Sequence, residues 1–506
     1  MTRLLIRRFL ADYFRNGANL LLLVLIPVAF VLAAASALGN AAKLLGGAGG
    51  GPAVDTVTAG WASAFLAAIA MYFQVSASRR ADRRLVTAGA PPRRLGAARL
   101  LTGVVLAVRA SLAALTALLA RGDAGSPWRV ATGTFLFALI YVGLGAVVGA
   151  FVPSAVNGTV LLLLMWILDV FFGPTLSGTD SPVVRFLPTH FVSLWIVDLP
   201  AGHSGLSEFT WSLIWVVGAL LLAFVVVAGR KTHRTPPSLW SRQRPAQVLT
   251  TLKMGLRDWL RTPVLWVLLA AVPAIFILLS DAVTPRGHTP IRVKENGISR
   301  IEMVDPALIH AGTMAPIAVA SLAALVGVFM VLDSRVADGR LVLAGESRTA
   351  LVASRFMLVS AATAVAIGVS LAVTATVFEP RQWGVYATGN VVVAVTYALI
   401  GMLIAPLFGR VSSVFLAFLI PFLDLGLWQS PMLRGAPDTW AQYLPGYGGV
   451  RLVIDGALTP GFDEAASVAA ALGWLVPLLL ATSFVIAPHE RTRMARTQAA
   501  DQPQRS

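Results

Sequence analysis

Cysteine is missing from all 506 residues of this sequence, and charged residues make up only 13% of it. The first absence excludes disulfide bonds and cysteine-based metal sites. The second excludes a string of soluble domains, in which about a quarter of the residues are charged. With 57% hydrophobic residues and a mean hydropathy of +0.76, the chain is predicted to be an all-α polytopic membrane protein.

Signatures of bound cofactors are missing as well. No G-x-x-x-x-G-K-[ST] motif occurs, and the six histidines are scattered without the spacing of a metal site. We therefore expect this chain to bind no cofactor or metal and to have no catalytic residues.

Twelve windows are apolar over about 20 residues, the length that crosses roughly 30 Å of hydrocarbon. They lie at about 19–38, 61–78, 101–120, 131–152, 157–177, 210–229, 263–281, 312–332, 356–377, 388–408, 412–428 and 466–487. We expect twelve transmembrane helices.

Basic residues are distributed unevenly over the connecting loops. Twelve spans place both termini on one side of the membrane. The segments on that side carry 28 basic and 8 acidic residues, and those on the opposite side carry 11 basic and 14 acidic residues. Because cytoplasmic loops are enriched in Lys and Arg, we expect both termini in the cytoplasm and the chain in the plasma (inner) membrane. The net charge of +16 then reflects topology, and we expect no nucleic-acid partner.

The chain repeats itself across a basic, proline-containing linker at 230–248. Ser78–Gly89 (SRRADRRLVTAG) matches Ser334–Gly345 (SRVADGRLVLAG) at an offset of 256 residues. Further matches follow in the same order at offsets of 246 to 257: Asp12 with Asp258, Tyr141 with Tyr397, Asp169 with Asp424, and Leu187-Pro188 with Leu444-Pro445. We expect two homologous six-helix halves, 1–229 and 249–488, and a polar cytoplasmic tail at 489–506.

Two smaller elements flank these spans. Each half begins with an amphipathic stretch, Leu4–Asn16 and Leu249–Thr262, which predicts either an interfacial elbow helix or an ordinary basic flank, with the recurrence favouring the elbow. In the second half, Asn296-Gly297 lies between short alternating stretches in 292–304, which predicts a small external β-hairpin.

The loop after the second span of each half has polar positions three to five residues apart, followed by apolar residues and a glycine. This pattern predicts a short amphipathic helix under the membrane, ended by the glycine. The residues concerned are Arg79, Asp82, Arg84 and Gly89 in the first half and Arg335, Asp338, Arg340 and Gly345 in the second. The alternative is positive charge that only sets topology, but such charge needs neither aspartate.

These features together resemble the permeases of ABC-2 type (type V) exporters, which have an elbow helix, six spans and an external Leu-Pro stretch before the sixth span. The resemblance covers nearly the whole chain, once in each half, as in a fused permease. The chain is also similar to actinobacterial tetronasin/multidrug-type export permeases. It implies that the two loops are coupling helices seated in two copies of an ABC ATP-binding subunit, which would hold ATP and Mg. It also implies export of an amphipathic small molecule out of the cell.

Three ionisable residues lie inside predicted spans: Arg109, Asp169 and Asp424. A charge near the bilayer centre costs roughly 2.5–3.5 kcal/mol on insertion scales, so each should face protein or water. They predict either a structural salt bridge, such as Arg109 with Asp169, or part of the substrate path. The neighbouring aromatic residues suit the lipid interface by default, or else line that path; they include Trp166, Phe172 and Trp428.

Two other function classes are compatible with part of this pattern. A proton-coupled secondary transporter of the major facilitator type also has six plus six spans, and would use the intramembrane Asp and Arg residues as a proton relay. Its Gly-x-x-x-x-Asp-Arg-x-Gly-Arg-Arg loop spacing is not met here. A membrane enzyme, such as a lipid-linked glycosyltransferase, would need an acidic or histidine cluster that the sequence lacks.

Overall fold

The computed structural model describes residues 2–14, 17–44, 50–122, 126–177, 184–197, 205–229, 256–257, 263–295, 298–343, 347–431 and 437–486. In residues 1–229, which we call the first half, the helices are α1 (Thr2–Phe14), α2 (Gly17–Leu44), α3 (Gly50–Ala77), α4 (Arg79–Thr87), α5 (Pro92–Arg121), α6 (Pro127–Phe151), α7 (Ala155–Phe172), α8 (Pro174–Ser177), α9 (His190–Ile196) and α10 (Leu206–Ala228).

In residues 249–488, the second half, they are α11 (Pro263–Val283), α12 (Pro306–Leu343), α13 (Arg348–Val377), α14 (Trp383–Pro421), a π-helix (Phe422–Trp428), α15 (Tyr447–Leu458) and α16 (Ala465–Ile486). Short 3-10 turns lie at Val184–Phe186 and Thr439–Tyr443.

Ten helices in the described part of the chain are long and apolar enough to cross a membrane. Helical geometry suits this solvent because every backbone N–H and C=O is satisfied within the segment. The longest, Trp383–Trp428, contains two of the predicted windows and breaks between them at Gly409, whose φ is +74°. The first predicted window falls in α2, where the apolar stretch is the shorter Leu20–Ala35. The prediction of an all-α membrane protein is confirmed.

The helices are arranged around two buried centres, α3 and α12, while α10 and α16 lie at the periphery. Helix α6 crosses α3 where Gly145 lies against the Ala68 carbonyl, and α14 crosses α12 where Gly401 lies against the Ala324 carbonyl. A Cβ atom at either glycine would overlap that carbonyl oxygen, so these crossings require glycine. Small residues at such points let membrane helices approach closely.

The predicted hairpin is present. Strands β1 (Thr289–Glu295) and β2 (Ile298–Val304) pair antiparallel, with Glu295 opposite Ile298. The predicted turn residues, 296 and 297, lie outside the described residues. Ile291 and Val293 are buried under the hairpin and so hold it against the helices.

The segments after the second spans differ between the halves. In the first half, α4 is a separate helix, and the hydroxyl of Ser78 before it donates to Asp82 (2.9 Å). In the second half we expected another short helix, but α12 continues without interruption to Leu343. Ser334 donates to the Val331 carbonyl three residues before it, as Ser78 does to Val75, and Ser78 alone has the additional described bond to its aspartate. The predicted second elbow is described only at 256–257.

Candidate functional site

The predicted coupling residues of the first half are tied to neighbouring helices. Arg79 donates from Nη2 to the carbonyls of Gly149 (2.8 Å) and Ala150 (3.2 Å) at the end of α6. Partial burial lowers the pKa of the Arg79 guanidinium below its ordinary value. The exposed Arg84 points away from these contacts, and Gly89 (φ +91°) follows the end of α4. Thus Arg79 anchors α4, and Arg84 is left on its surface.

Asp82 faces inward, toward α5. Arg99 Nη2 donates to Asp82 Oδ1 at 2.7 Å, and only 7% of Arg99 is exposed. The same guanidinium lies over the ring of Phe9 in α1, 3.5 Å from its centroid. Cation–π contacts contribute about 0.5–2 kcal/mol, more when desolvated. One arginine of α5 therefore joins α1 and α4, and we call this contact the first clamp.

An apolar cluster reinforces the first clamp. Phe9, Leu95 and Ala98 are buried together, and Leu85 and Val86 of α4 pack against them. Leu85 and Val86 of α4 therefore pack against α1, which also runs alongside α5.

The second half has a matching ion pair. Arg355 of α13 donates from Nε to Asp338 Oδ2 at 3.2 Å and from Nη2 to Asp338 Oδ1. Both arginines lie 17 residues after their aspartates, and Arg355 is likewise buried, at 9% exposure. Arg335 and Arg340 are exposed, and Gly345 lies outside the described residues. Arg99 and Arg355 stand 256 residues apart, the same offset that relates the two loops.

A cluster of aromatic rings fills the contact between the two halves. Phe30 stacks on Phe422 (centroids 5.6 Å apart), and Phe65 and Trp166 each lie 5.2 Å from Phe418. All five rings, together with Phe415 beside Phe65, are at most 6% exposed. The cavity left among them is about 10 Å³, which is too small to hold a water molecule comfortably. The contact between the halves is closed at this level, and we call these rings the aromatic seal.

The default assignment of the aromatic residues to the lipid interface is wrong for Trp166. Its indole N–H donates to the Trp61 carbonyl (2.9 Å) inside the protein. Phe172 is half-buried at the end of α7, and Trp428 is half-buried against Trp440 (5.0 Å). Single-sequence reasoning cannot separate these cases, because an aromatic residue near the end of an apolar helix suits both positions.

Asp169 is buried within the protein and accepts hydrogen bonds from three groups. Thr189 donates to it from the backbone N–H (3.2 Å, to Oδ1) and from Oγ1 (2.7 Å, to Oδ2). Tyr141 Oη donates to Oδ2 at 2.9 Å. Thr189 directly precedes α9 and directly follows Leu187-Pro188. The carboxylate therefore fastens the chain entering α9 to the fourth and fifth spans, and we call this network a carboxylate lock.

Asp424 forms the corresponding lock in the second half. Its Oδ2 accepts from Tyr397 Oη (2.5 Å) and from the backbone N–H of Gly446 (2.8 Å), which directly follows Leu444-Pro445. Asp169 and Asp424 are both only 2% exposed. Three separate sequence matches, the tyrosines, the aspartates and the Leu-Pro pairs, thus meet at one place in each half.

The expected pairing of Arg109 with Asp169 is wrong. Arg109 lies on the exposed side of α5, and its guanidinium stacks over Phe14 at 4.5 Å. Asp169 instead obtains its hydrogen bonds from hydroxyl and amide groups. The sequence placed both charges at membrane depth, but the direction each side chain takes depends on how α5 and α7 are rotated in the bundle.

The comparison with known families matches one part of the chain. Residues 56–228 match the family described as ABC-2 family transporter protein. They form an ABC-2 permease domain. No curated protein matches the chain. The ABC-2 permease domain contains α4, Arg99, Trp166 and the first carboxylate lock, so the family resemblance is confirmed over this range.

The ABC-2 assignment defines the class of activity. The domain is the non-catalytic membrane component of a transporter, and permeases of this family work with ABC ATPase subunits. Its helices make the chain a multi-pass membrane protein. Within the described residues, no group of three or more His, Cys, Asp or Glu side chains could hold a metal ion.

Proposed function

We propose that the whole chain is the membrane subunit of an ATP-driven exporter, built from two homologous permease halves at 1–229 and 249–488. The observation that carries this proposal is the family match over 56–228 together with the second carboxylate lock, which lies outside the match. Tyr397, Asp424 and Gly446 stand 256, 255 and 257 residues after Tyr141, Asp169 and Thr189. A duplicated domain explains why the same three-way contact occurs twice.

Twelve spans follow from this duplication. Gly409 divides the longest apolar element into two spans, and α2 supplies the first span despite its shorter apolar stretch. The basic linker at 230–248 and the tail at 489–506 then lie with both termini in the cytoplasm, as the charge distribution of the loops favours.

Two ATPase subunits, which hold the ATP and Mg, dock on the segment after the second span of each half. These two segments differ in structure. Helix α4 presents Arg84 to one subunit, and the end of α12 presents Arg335 and Arg340 to the other. The two docking surfaces differ because α4 is a separate helix and α12 is continuous. Two ion pairs, Asp82 with Arg99 and Asp338 with Arg355, transmit movement of each docking segment to the following span, since both aspartates face inward.

The exported compound, an amphipathic or lipophilic drug, antibiotic or lipid-like molecule, passes between the halves. The aromatic seal lies on this path, and the carboxylate locks stand beside it in the two fifth spans. Separating the halves would part Phe30 from Phe422 and Phe65 from Phe418 while leaving each lock intact, because each lock lies within one half.

A purification and transport experiment tests this function. The chain should co-purify with an ABC ATPase in a ratio of one to two, measured by native mass spectrometry, and proteoliposomes containing the complex should export a lipophilic dye only with ATP. Full transport by the chain alone, driven by a pH gradient, would instead establish a proton-coupled secondary transporter.

The absence of cysteine allows a direct test of the path. Phe30→Cys with Phe422→Cys, joined by a bifunctional thiol reagent, should stop ATP-driven export, and cleavage of the reagent should restore it. The control is Trp428→Cys with Trp440→Cys, a ring pair within one half, whose cross-link should leave export active. Export that continues with the two halves joined at the seal contradicts the path.

A further inference from the structure

The two halves pack their outer spans differently. In the first half, α6 lies close to α10, and a Cβ atom at Gly143 would stand 2.7 Å from the Ala219 carbonyl carbon. In the second half, a groove of about 650 Å³ lies among α13, α14 and α16. The two halves are therefore not interchangeable on their membrane-facing sides.

Side-chain size differs at matching positions of the two halves. Leu399 and Met402 stand 256 residues after Gly143 and Ala146, and both line the groove. Helices α14 and α16 nevertheless meet at Leu399, whose carbonyl accepts from Thr482 Oγ1 (3.3 Å). The groove therefore lies beside this contact, where the larger side chains of α14 face α13 and α16.

The groove is apolar and opens sideways. Its floor contains buried residues such as Val359, Ile367 and Ala398, and its rim contains exposed residues such as Gly368 and Leu479. Among the described lining residues, only Ser360 and Thr363 carry hydroxyl groups, and none is charged. All three walls are candidate membrane spans, so the opening faces hydrocarbon.

The groove lies near the middle of its three helices. Its lining on α13 runs from Phe356 to Gly368, which corresponds to about 18 Å of helix, and on α14 it runs from Val391 to Met402. Both segments lie well inside the roughly 30 Å hydrocarbon thickness. An unfilled apolar space of this size would forfeit dispersion contacts along its whole lining. An acyl chain that reaches this depth restores those contacts, and a polar headgroup finds no partners there.

We infer that this groove is a lipid-binding site that holds the acyl chain of one membrane phospholipid. The inference rests on the shape, depth and apolar lining of the groove, and does not depend on the transport function.

Acyl-chain photolabelling tests the inference. Nanodiscs containing the full chain and a phosphatidylcholine with a diazirine at mid-chain are irradiated, and the labelled peptides are identified by mass spectrometry. We expect labelling of α13 and α14 at the groove to exceed labelling of the lipid-facing α10 several-fold. Gly368→Phe should abolish the excess, because no atom lies within 4 Å of a Cβ there and the ring can enter the groove.

The matched control is Gly218→Phe, at an equally open and exposed glycine on α10. It should leave the labelling of α13 and α14 unchanged. If Gly368→Phe fails to fold, Ala364→Phe at the exposed rim fills the same space. Labelling of the groove no stronger than that of α10, or an excess that survives in a folded groove-filled variant, would overturn the inference.

Discussion

The two carboxylate locks should lose stability for different reasons on the same substitution, aspartate to asparagine. In Asp424→Asn, the single amide oxygen can take the place of Oδ2 and accept from both Tyr397 and Gly446. The new NH2 group then replaces Oδ1, a buried atom without a hydrogen-bond partner among the described residues, so its N–H donors enter a buried place without an acceptor. We expect the free energy of unfolding to fall by about 1–3 kcal/mol, the cost of an unsatisfied buried donor.

Asp169→Asn cannot preserve its contacts in this way, because both carboxylate oxygens are used. The backbone N–H of Thr189 requires the amide oxygen, which turns the NH2 group toward Tyr141 Oη and Thr189 Oγ1. These hydroxyls must then accept, and at least one hydroxyl proton loses its acceptor in a buried place. An unsatisfied buried donor costs about 1–3 kcal/mol, so the free energy of unfolding of Asp169→Asn should also fall by about that amount.

Unfolding of both variants in the same nanodiscs, followed by tryptophan fluorescence during heating, measures the two losses. Arg109→Gln separates this explanation from an ion pair between Arg109 and Asp169. Because the two side chains do not touch, the effects of Arg109→Gln and Asp169→Asn should add within about 0.5 kcal/mol. A loss well below about 1 kcal/mol in either asparagine variant, or strong coupling to Arg109, would refute the reasoning.

Three further results are expected. Asp82→Asn should lower thermal stability, because it weakens the buried contact with Arg99. Arg84→Ala, at an exposed position, should keep thermal stability and weaken ATPase association in a pull-down. The reverse pattern would contradict the inward role of Asp82. Gly145→Ala should cost about 1–3 kcal/mol or more in the unfolding assay, because its Cβ overlaps a carbonyl of α3, while Gly218→Ala in open space should be nearly neutral. Ser299→Cys on the hairpin should react with a membrane-impermeant maleimide on intact cells, and labelling only after lysis would invert the proposed topology.

Sequence patterns predicted most of the fold because hydropathy acts locally. A window of about 20 apolar residues is a membrane helix wherever it packs, since the backbone must satisfy its own hydrogen bonds in hydrocarbon. The hairpin followed from alternation around Asn296-Gly297, and the end of α4 near Gly89 followed from its preference for positive φ. The continuous α12 did not follow, because Ser334 and Ser78 lie in matching sequences; both donate to the carbonyl three residues before them, and the additional bond from Ser78 to Asp82 appears only in the structure.

The sequence alone therefore determined the membrane class, most of the helix positions and the positions that recur at a constant offset. Only the tertiary structure decided what those positions do. In the structure, Asp82 pairs with Arg99. Asp169 accepts hydrogen bonds from Tyr141 and Thr189 and does not pair with Arg109. Trp166 is buried in the aromatic seal. The physical reason is that the rotation of each helix about its axis selects the partner of every side chain, and that rotation depends on the sizes of residues on neighbouring helices.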